Sequence, residues 1–399
     1  MKISKRKAIK TIEFLFLIIP IYIPIFLEYI LGPNVIRLLL FSATLYIGAK
    51  LLLKRTRFSK FLLFGVVFAS FVVFTTYIHN AYFYGALMYA LKLLLAFLIL
   101  EYYSDDLLYL LNQLHWMLAF LIALNLITVI IYPESMFSRI NSSYGMTHEW
   151  LLGNDHSFIY WIIPGLTLSL FFLRQENKTN SLSVITIVMS ITTVILRPVS
   201  TLIVGFAVIC MLDLIFYKRE FRKPVFISIG VIFAFVSIII NRNYDFLEPI
   251  IVGVLGKDMT FTNRLRIWDN ALSAIKDNLI LGKGFLSGDD VIKVIGVYTA
   301  NHCHDLYLNF TLFFGLIGMA FLLFPVCCIL FRIRNNKDYR AFFAMLIAIL
   351  IMWIVEAYDS IMILFMIFLS YYLICCPQKK YGFLGNDIIH KEGFKGEQK

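Results

Sequence analysis

Apolar runs recur along almost the whole chain, separated by short polar gaps. They fall near 12–31, 35–53, 61–78, 82–101, 107–132, 157–173, 181–196, 199–217, 224–241, 305–329, 341–357 and 360–376. Crossing the hydrocarbon of a bilayer takes about 20 apolar residues in a helix. The pattern therefore predicts an all-α polytopic membrane protein of about 12 transmembrane helices. The runs at 181–196 and 199–217 are short and nearly fused, so the count is uncertain by one or two. One stretch has a different period. Between Asn263 and Asn278, Leu265, Trp268, Leu272 and Ile275 recur at spacings of three and four, which makes a single apolar stripe. With Thr262 as N-cap, this predicts a short amphipathic helix that lies on a membrane surface or roofs a cavity between spans. Gly282 and Gly284 then supply a turn.

Composition agrees with the membrane reading. Of 399 residues, 60% are hydrophobic and 15% charged, against about 25% charged in soluble domains. A net charge of +11 in a soluble protein points to nucleic acid, but here the basic residues are distributed by gap. The N-terminus, 50–60, 174–178, 218–223, 332–340 and the tail hold 25 of the 36 lysines and arginines. The positive-inside rule places both termini in the cytoplasm, and no nucleic-acid partner is expected. The basic start followed by Thr11–Leu31 imitates a signal peptide, yet it lacks a small-residue cleavage site, so the first helix is expected to be retained.

The expected organisation is one transmembrane domain, 1–376, and a cytoplasmic tail, 377–399. Two longer segments, 133–156 and 242–304, fall on the extracytoplasmic side, and the second is too long for a passive connection. The six cysteines have no framework spacing. No inverted repeat is visible, which weighs against a secondary transporter.

Several residues carry candidate chemistry. Arg264 and Arg266 open the amphipathic helix, and Trp268 is four positions after Arg264, within reach of the guanidinium. A planar, permanently charged fork suits a phosphate or pyrophosphate; a basic rim against anionic lipid is the alternative. His302 and His304 flank Cys303 before the tenth span. Either histidine can serve as a general base near neutral pH or simply bond a neighbouring loop. Alternate residues on an extended strand point to opposite sides and no fourth ligand is evident, so no metal is assigned. Arg197, beside Pro198 where two spans meet, needs an anionic partner in a dry setting. Lys92 lies near the middle of the fourth span, where a charge is a functional candidate by default unless it pairs with Glu28 or Glu356. His148, Glu149, Asp155 and His156 read as a solvated loop, and Asp289 and Asp290 as turn residues. No nucleotide-loop or hydrolase motif is present, and no cofactor is expected.

The order of these features resembles the O-antigen ligase and polymerase superfamily of bacterial envelopes. NRLRIWDNALSAIKDNLILGKGF is followed after about 20 residues by HDLYLNFTLFFGLIG. Arg264 with Trp268, Gly282 with Gly284, His304 with Leu308, and Gly315 with Gly318 take the positions of the family pattern. Two departures stand out. Asp305 replaces the usual asparagine and is expected to add negative charge beside the site. Arg197 precedes Ser200 by three residues, where the family tends to carry a Ser-Arg pair.

The resemblance implies a GT-C-like glycosyltransferase of the bacterial cytoplasmic membrane. Such an enzyme moves a glycan from a polyprenyl-pyrophosphate carrier to a sugar hydroxyl without an obligatory metal, and a chain-length regulator and a flippase are the expected partners. It casts Arg264 and His304 as catalytic. Arg197, Arg266, Trp268, His302 and Lys92 form the expected substrate-binding set. A polymerase is favoured over a ligase, and a transporter of lipid-linked oligosaccharide is the competing class.

Overall fold

The computed structural model describes residues 5–54, 58–141, 145–175, 180–215, 264–298, 300–333, 339–357 and 360–376, with isolated positions between 230 and 253. Most of the predicted span at 224–241, the N-cap Thr262, the first part of the 242–304 segment and the tail 377–399 lie outside the described residues. Helices dominate what is described. They are α1 (Lys5–Ile18), α2 (Ile25–Leu53), α3 (Lys60–Ile78), α4 (Phe83–Tyr102), α5 (Leu107–Ile131), α6 (Ile159–Gln175), α7 (Ser181–Leu196) and α8 (Ser200–Ile215), followed by α9 (Arg264–Lys276), α10 (Gly288–Ile295), α11 (Leu306–Arg332), α12 (Arg340–Met352) and α13 (Ile361–Cys375). Between α5 and α6 an antiparallel hairpin pairs β1 (Phe137–Asn141) with β2 (Gly145–Glu149), and a 3₁₀ turn, Asp155–Phe158, leads into α6.

Six helices are long and apolar enough to cross a membrane: α2, α3, α4, α5, α6 with its leading turn, and α11. The expected count of about 12 full spans is thus met only in part among the described residues, because α7, α8, α12 and α13 are apolar but short. At 13 residues, α12 extends about 20 Å, less than the roughly 30 Å of hydrocarbon. The predicted span 12–31 is not one helix either. It passes through Pro20 and Pro24, which remove backbone donors and end α1 at Ile18. α2 then runs through two of the predicted runs, with a non-helical step at Gly32 (φ 75°) before Pro33.

Burial is distributed as lipid requires. α12 and α13 are buried along nearly their whole length, and α4, α6, α8 and α11 pack around them. The peripheral helices keep large apolar side chains on the outside, among them Leu38, Leu45, Leu63, Trp116, Phe120 and Ile195, each more than 60% exposed. Water would penalise so large an apolar surface; lipid does not. At one end of the bundle gather the α3–α4 turn, the hairpin, the α7–α8 junction, the 264–305 segment and the α12–α13 connection. At the other, Lys50 pairs with Glu13 at 2.6 Å, and Ser59 donates to Glu101.

The 264–305 segment is fixed by backbone pairing rather than laid loosely on a surface. α9 buries Ile267, Trp268, Ala271 and Ile275 and packs against α10 and α11. After α9 the chain passes beside a break in α11 at Gly315 (φ 63°). There the amides of Lys283 and Gly284 donate to the carbonyls of Leu312 and Phe313, both at 2.8 Å, and the Leu316 amide donates to Leu279 at 2.9 Å. A broken helix at this depth is tolerated because another segment satisfies its freed polar groups. Gly282 (φ 72°) is the partner of Gly315. A Cβ on Gly282 would overlap the Phe313 carbonyl, and one on Gly315 the Ile280 carbonyl. Asp289 and Asp290 are not turn residues. They open α10, where Ser287 and Asp290 form a reciprocal capping box.

Gly315→Ala should therefore be strongly destabilising. The positive φ alone costs an alanine about 1–3 kcal/mol, and the overlap adds to it. Gly48→Ala, in a helical position with open space around it, should be neutral or slightly stabilising. Thermal melts of the detergent-solubilised variants check this; equal melting temperatures would mean that the close approach does not exist.

Candidate active site

The site is built on Glu356, between α12 and α13. The chain leaving the C-terminus of α12 is tied down from two directions. The Leu306 amide donates to the Trp353 carbonyl at 2.9 Å, and the Arg264 guanidinium donates to the Val355 carbonyl. A cation suits the negative end of a helix dipole. From the same position Arg264 Nη2 reaches Glu356 Oε1 at 2.5 Å. The other carboxylate oxygen, Oε2, faces His304 Nδ1 at 3.5 Å. Three segments far apart in sequence thus meet at one carboxylate, which is 7% exposed.

His304 gets there by an unusual backbone. Its φ is +51°, a left-handed conformation few non-glycine residues adopt. That step corrects the expectation from sequence that His302 and His304 face opposite sides. Instead of a strand, the chain turns, and the two rings lie with centroids 4.0 Å apart. His302 Nδ1 is 2.5 Å from Asn301 Oδ1. His156, from the 133–156 segment, is near enough for its charge to act on His302.

Electrostatics follow from this packing. Burial alone would raise the Glu356 carboxyl, but the His304 hydrogen bond and the Arg264 charge outweigh it and hold the carboxyl down to about 2. Burial, reinforced by His304, pushes His302 down to about 3, so its ring is neutral. Asp305 does not add the negative charge expected beside the site. It is fully buried as the N-cap of α11, where its Oδ1 accepts from the Leu308 amide at 2.6 Å, and burial raises its carboxyl well above the usual range.

The remaining sequence candidates are placed differently. Trp268 is fully buried in the core, a packing role for the α9 stripe. Arg266 is exposed on α9. Arg197 caps the C-terminus of α7 and lies over the Trp150 ring, 4.2 Å from its centroid. Its partner among the described residues is thus an aromatic face rather than a carboxylate. Lys92 stays in α4, where Glu28 is the carboxylate whose charge reaches it, while Glu356 is engaged by Arg264 and His304. Glu149, expected in a solvated loop, is 5% exposed. Glu356 was visible in sequence only as a possible partner for Lys92; an acid directly after the apolar run that ends in WIV was the signal for something more. At the same end of the bundle a cavity of about 510 Å³ is lined by His79, Asn80, Tyr82, Asn278 and Lys283. Its carboxamides, phenol and ammonium are groups that bond sugar hydroxyls.

Residues 185–323 match the family model described as O-antigen ligase. The match includes Arg197, Arg264, Arg266, Trp268, His302 and His304, and stops short of Glu356. No curated protein matches the chain.

Removing one member of a buried ion pair costs about 3–5 kcal/mol, because the other charge is left uncompensated. Glu356→Ala and Arg264→Ala should each lower stability on that scale, and the double variant should lose clearly less than the sum. A double-mutant cycle on solubilised protein reads the coupling, and strict additivity would mean that the two side chains do not interact.

Proposed function

We propose, from the match of residues 185–323 to the O-antigen ligase family, that the chain is a member of the O-antigen ligase and polymerase superfamily and that it polymerises polyprenyl-pyrophosphate-linked oligosaccharide repeat units into capsular or O-antigen polysaccharide. The reaction takes place at the outer face of the bacterial cytoplasmic membrane, with both termini in the cytoplasm. The observation that carries this reading is the meeting of Arg264, His302 and His304 at Glu356, at the bundle end that also holds the polar cavity. A membrane-bound carrier explains why the site sits at the end of a lipid-embedded bundle.

In the transfer, an acceptor hydroxyl attacks the anomeric carbon of the donor glycan. The bond from that carbon to the pyrophosphate oxygen breaks, and its electron pair leaves with the polyprenyl pyrophosphate. His304 Nδ1 faces Glu356, so the opposite ring nitrogen is the one that takes the hydroxyl proton, and the carboxylate stabilises the imidazolium that forms. Arg264 offers the remaining donors of its fork to the pyrophosphate, where negative charge develops in a partly dehydrated setting. Arg197 and the exposed Arg266 hold the phosphates further out, His302 lines the approach, and Lys92 serves the lipid-side end of the carrier. Charge neutralisation by arginine lets the transfer run without an obligatory metal. The cavity beside His79 and Asn278 takes the acceptor sugar. A flippase supplies the donor and a chain-length regulator sets the product size.

A ligase, which moves finished glycan to an envelope acceptor, uses the same site, and the description of the matched family favours it as the second reading. Cells lacking the gene should retain only single repeat units, on the carrier or attached, when carrier-linked and envelope-attached glycans are sized separately. Long chains stranded on the carrier would instead make the protein a ligase, and an unchanged profile would refute both. Arg264→Lys, which keeps the charge but loses the fork, and His304→Ala should both reproduce the deletion profile at normal protein level in the membrane.

A further inference from the structure

The cluster around Glu356 has the donor set of a metal site. We infer that His302, His304 and Glu356 bind one divalent transition-metal ion of the zinc class, and that its occupancy turns the transfer off; the second half rests on the base role proposed for His304. One donor atom from each residue lies within 4.8 Å of the others. His304 Nδ1 and Glu356 Oε2 are 3.5 Å apart, close to the roughly 3.4 Å that tetrahedral angles and zinc bonds of about 2.1 Å impose on neighbouring ligands. The third donor has only to close the remaining gap.

The groups around the cluster are arranged as supports for ligands. Asn301 Oδ1 accepts from His302 Nδ1 at 2.5 Å, which leaves the lone pair of His302 Nε2 for an ion. Arg264 holds Glu356 Oε1 and leaves Oε2 facing His304. Outer contacts of this kind fix tautomer and ring orientation in metal sites. Two imidazoles and one carboxylate prefer Zn²⁺, Co²⁺ or Ni²⁺ to Mg²⁺ or Ca²⁺. Three protein ligands leave a fourth position open, and the Arg264 charge beside it favours an anion there. The inhibition follows from the imidazole itself. An ion on Nδ1 of His304 forces the ring proton onto Nε2, and that nitrogen then has no lone pair for the acceptor hydroxyl.

The test uses the full chain without a histidine tag, in lipid nanodiscs, titrated with Co²⁺. Wild type should saturate at one ion per chain with the intense visible absorption of four-coordinate Co²⁺, and Zn²⁺ should displace it. His302→Ala should weaken binding at least tenfold, and Asn301→Ala, a milder change outside the ligand set, about tenfold. Absence of a saturable band in wild type, or a band of equal affinity in His302→Ala, overturns the site. In a transfer assay, Zn²⁺ should lower wild-type turnover over the range that fills the site. Turnover untouched by a filled site, or abolished by a chelator, overturns the switch. The cobalt band reads the site without reference to turnover, so failure of the transfer reading leaves the binding result standing.

Discussion

A buried carboxylate at Glu356 is the constraint on which the functional end of this bundle depends. An acid at 7% exposure is tolerable only if it is paired and hydrogen-bonded, and its partners come from segments 52 and 92 residues away in sequence. Satisfying it fixes the start of α9 against the end of α12 and orients the His304 ring. The same contact that neutralises the carboxylate thus brings a guanidinium and an imidazole together at one place. Arg264 is held by a carbonyl as well as the carboxylate, so its position is set by the fold itself, and the role proposed for it at the leaving group needs that preorganisation.

The pairing stands on a second constraint, the backbone clamp between the 279–284 turn and α11. Each side contributes a glycine at positive φ, Gly282 and Gly315, and each supplies hydrogen bonds that the other lacks. Broken and short helices are costly in lipid unless their ends are satisfied. Here α11 breaks against the turn, and α12 stops short against Leu306 and Arg264. The lipid-facing α3 and α5, with large apolar side chains outside, run without such a break.

Much of this was legible in the sequence. Runs at 61–78, 82–101 and 107–132 became α3, α4 and α5 almost residue for residue, because an uninterrupted apolar helix in lipid has few alternatives. The stripe Leu265, Trp268, Leu272 and Ile275 became α9, and the two glycine pairs were recognisable as a pattern. Their reason was not legible: that Gly282 and Gly315 touch is a long-range fact. The histidine pair was misread because period-two reasoning assumes a strand, and a single left-handed residue at His304 reverses it. Asp305 was misread as a site charge because a helix cap and a site residue look alike in sequence. Glu356 was seen only as a possible partner for Lys92, since no local pattern reveals that Arg264 and His304 converge on it.

The most direct test of the account is release of polyprenyl pyrophosphate by the purified chain in nanodiscs, with the lipid-linked repeat unit as the sole glycan. The account predicts one polyprenyl pyrophosphate released for every linkage formed, with the glycan lengthening in step. Repeat units that stay on their carriers, with no pyrophosphate lipid released by active, folded protein, would contradict it.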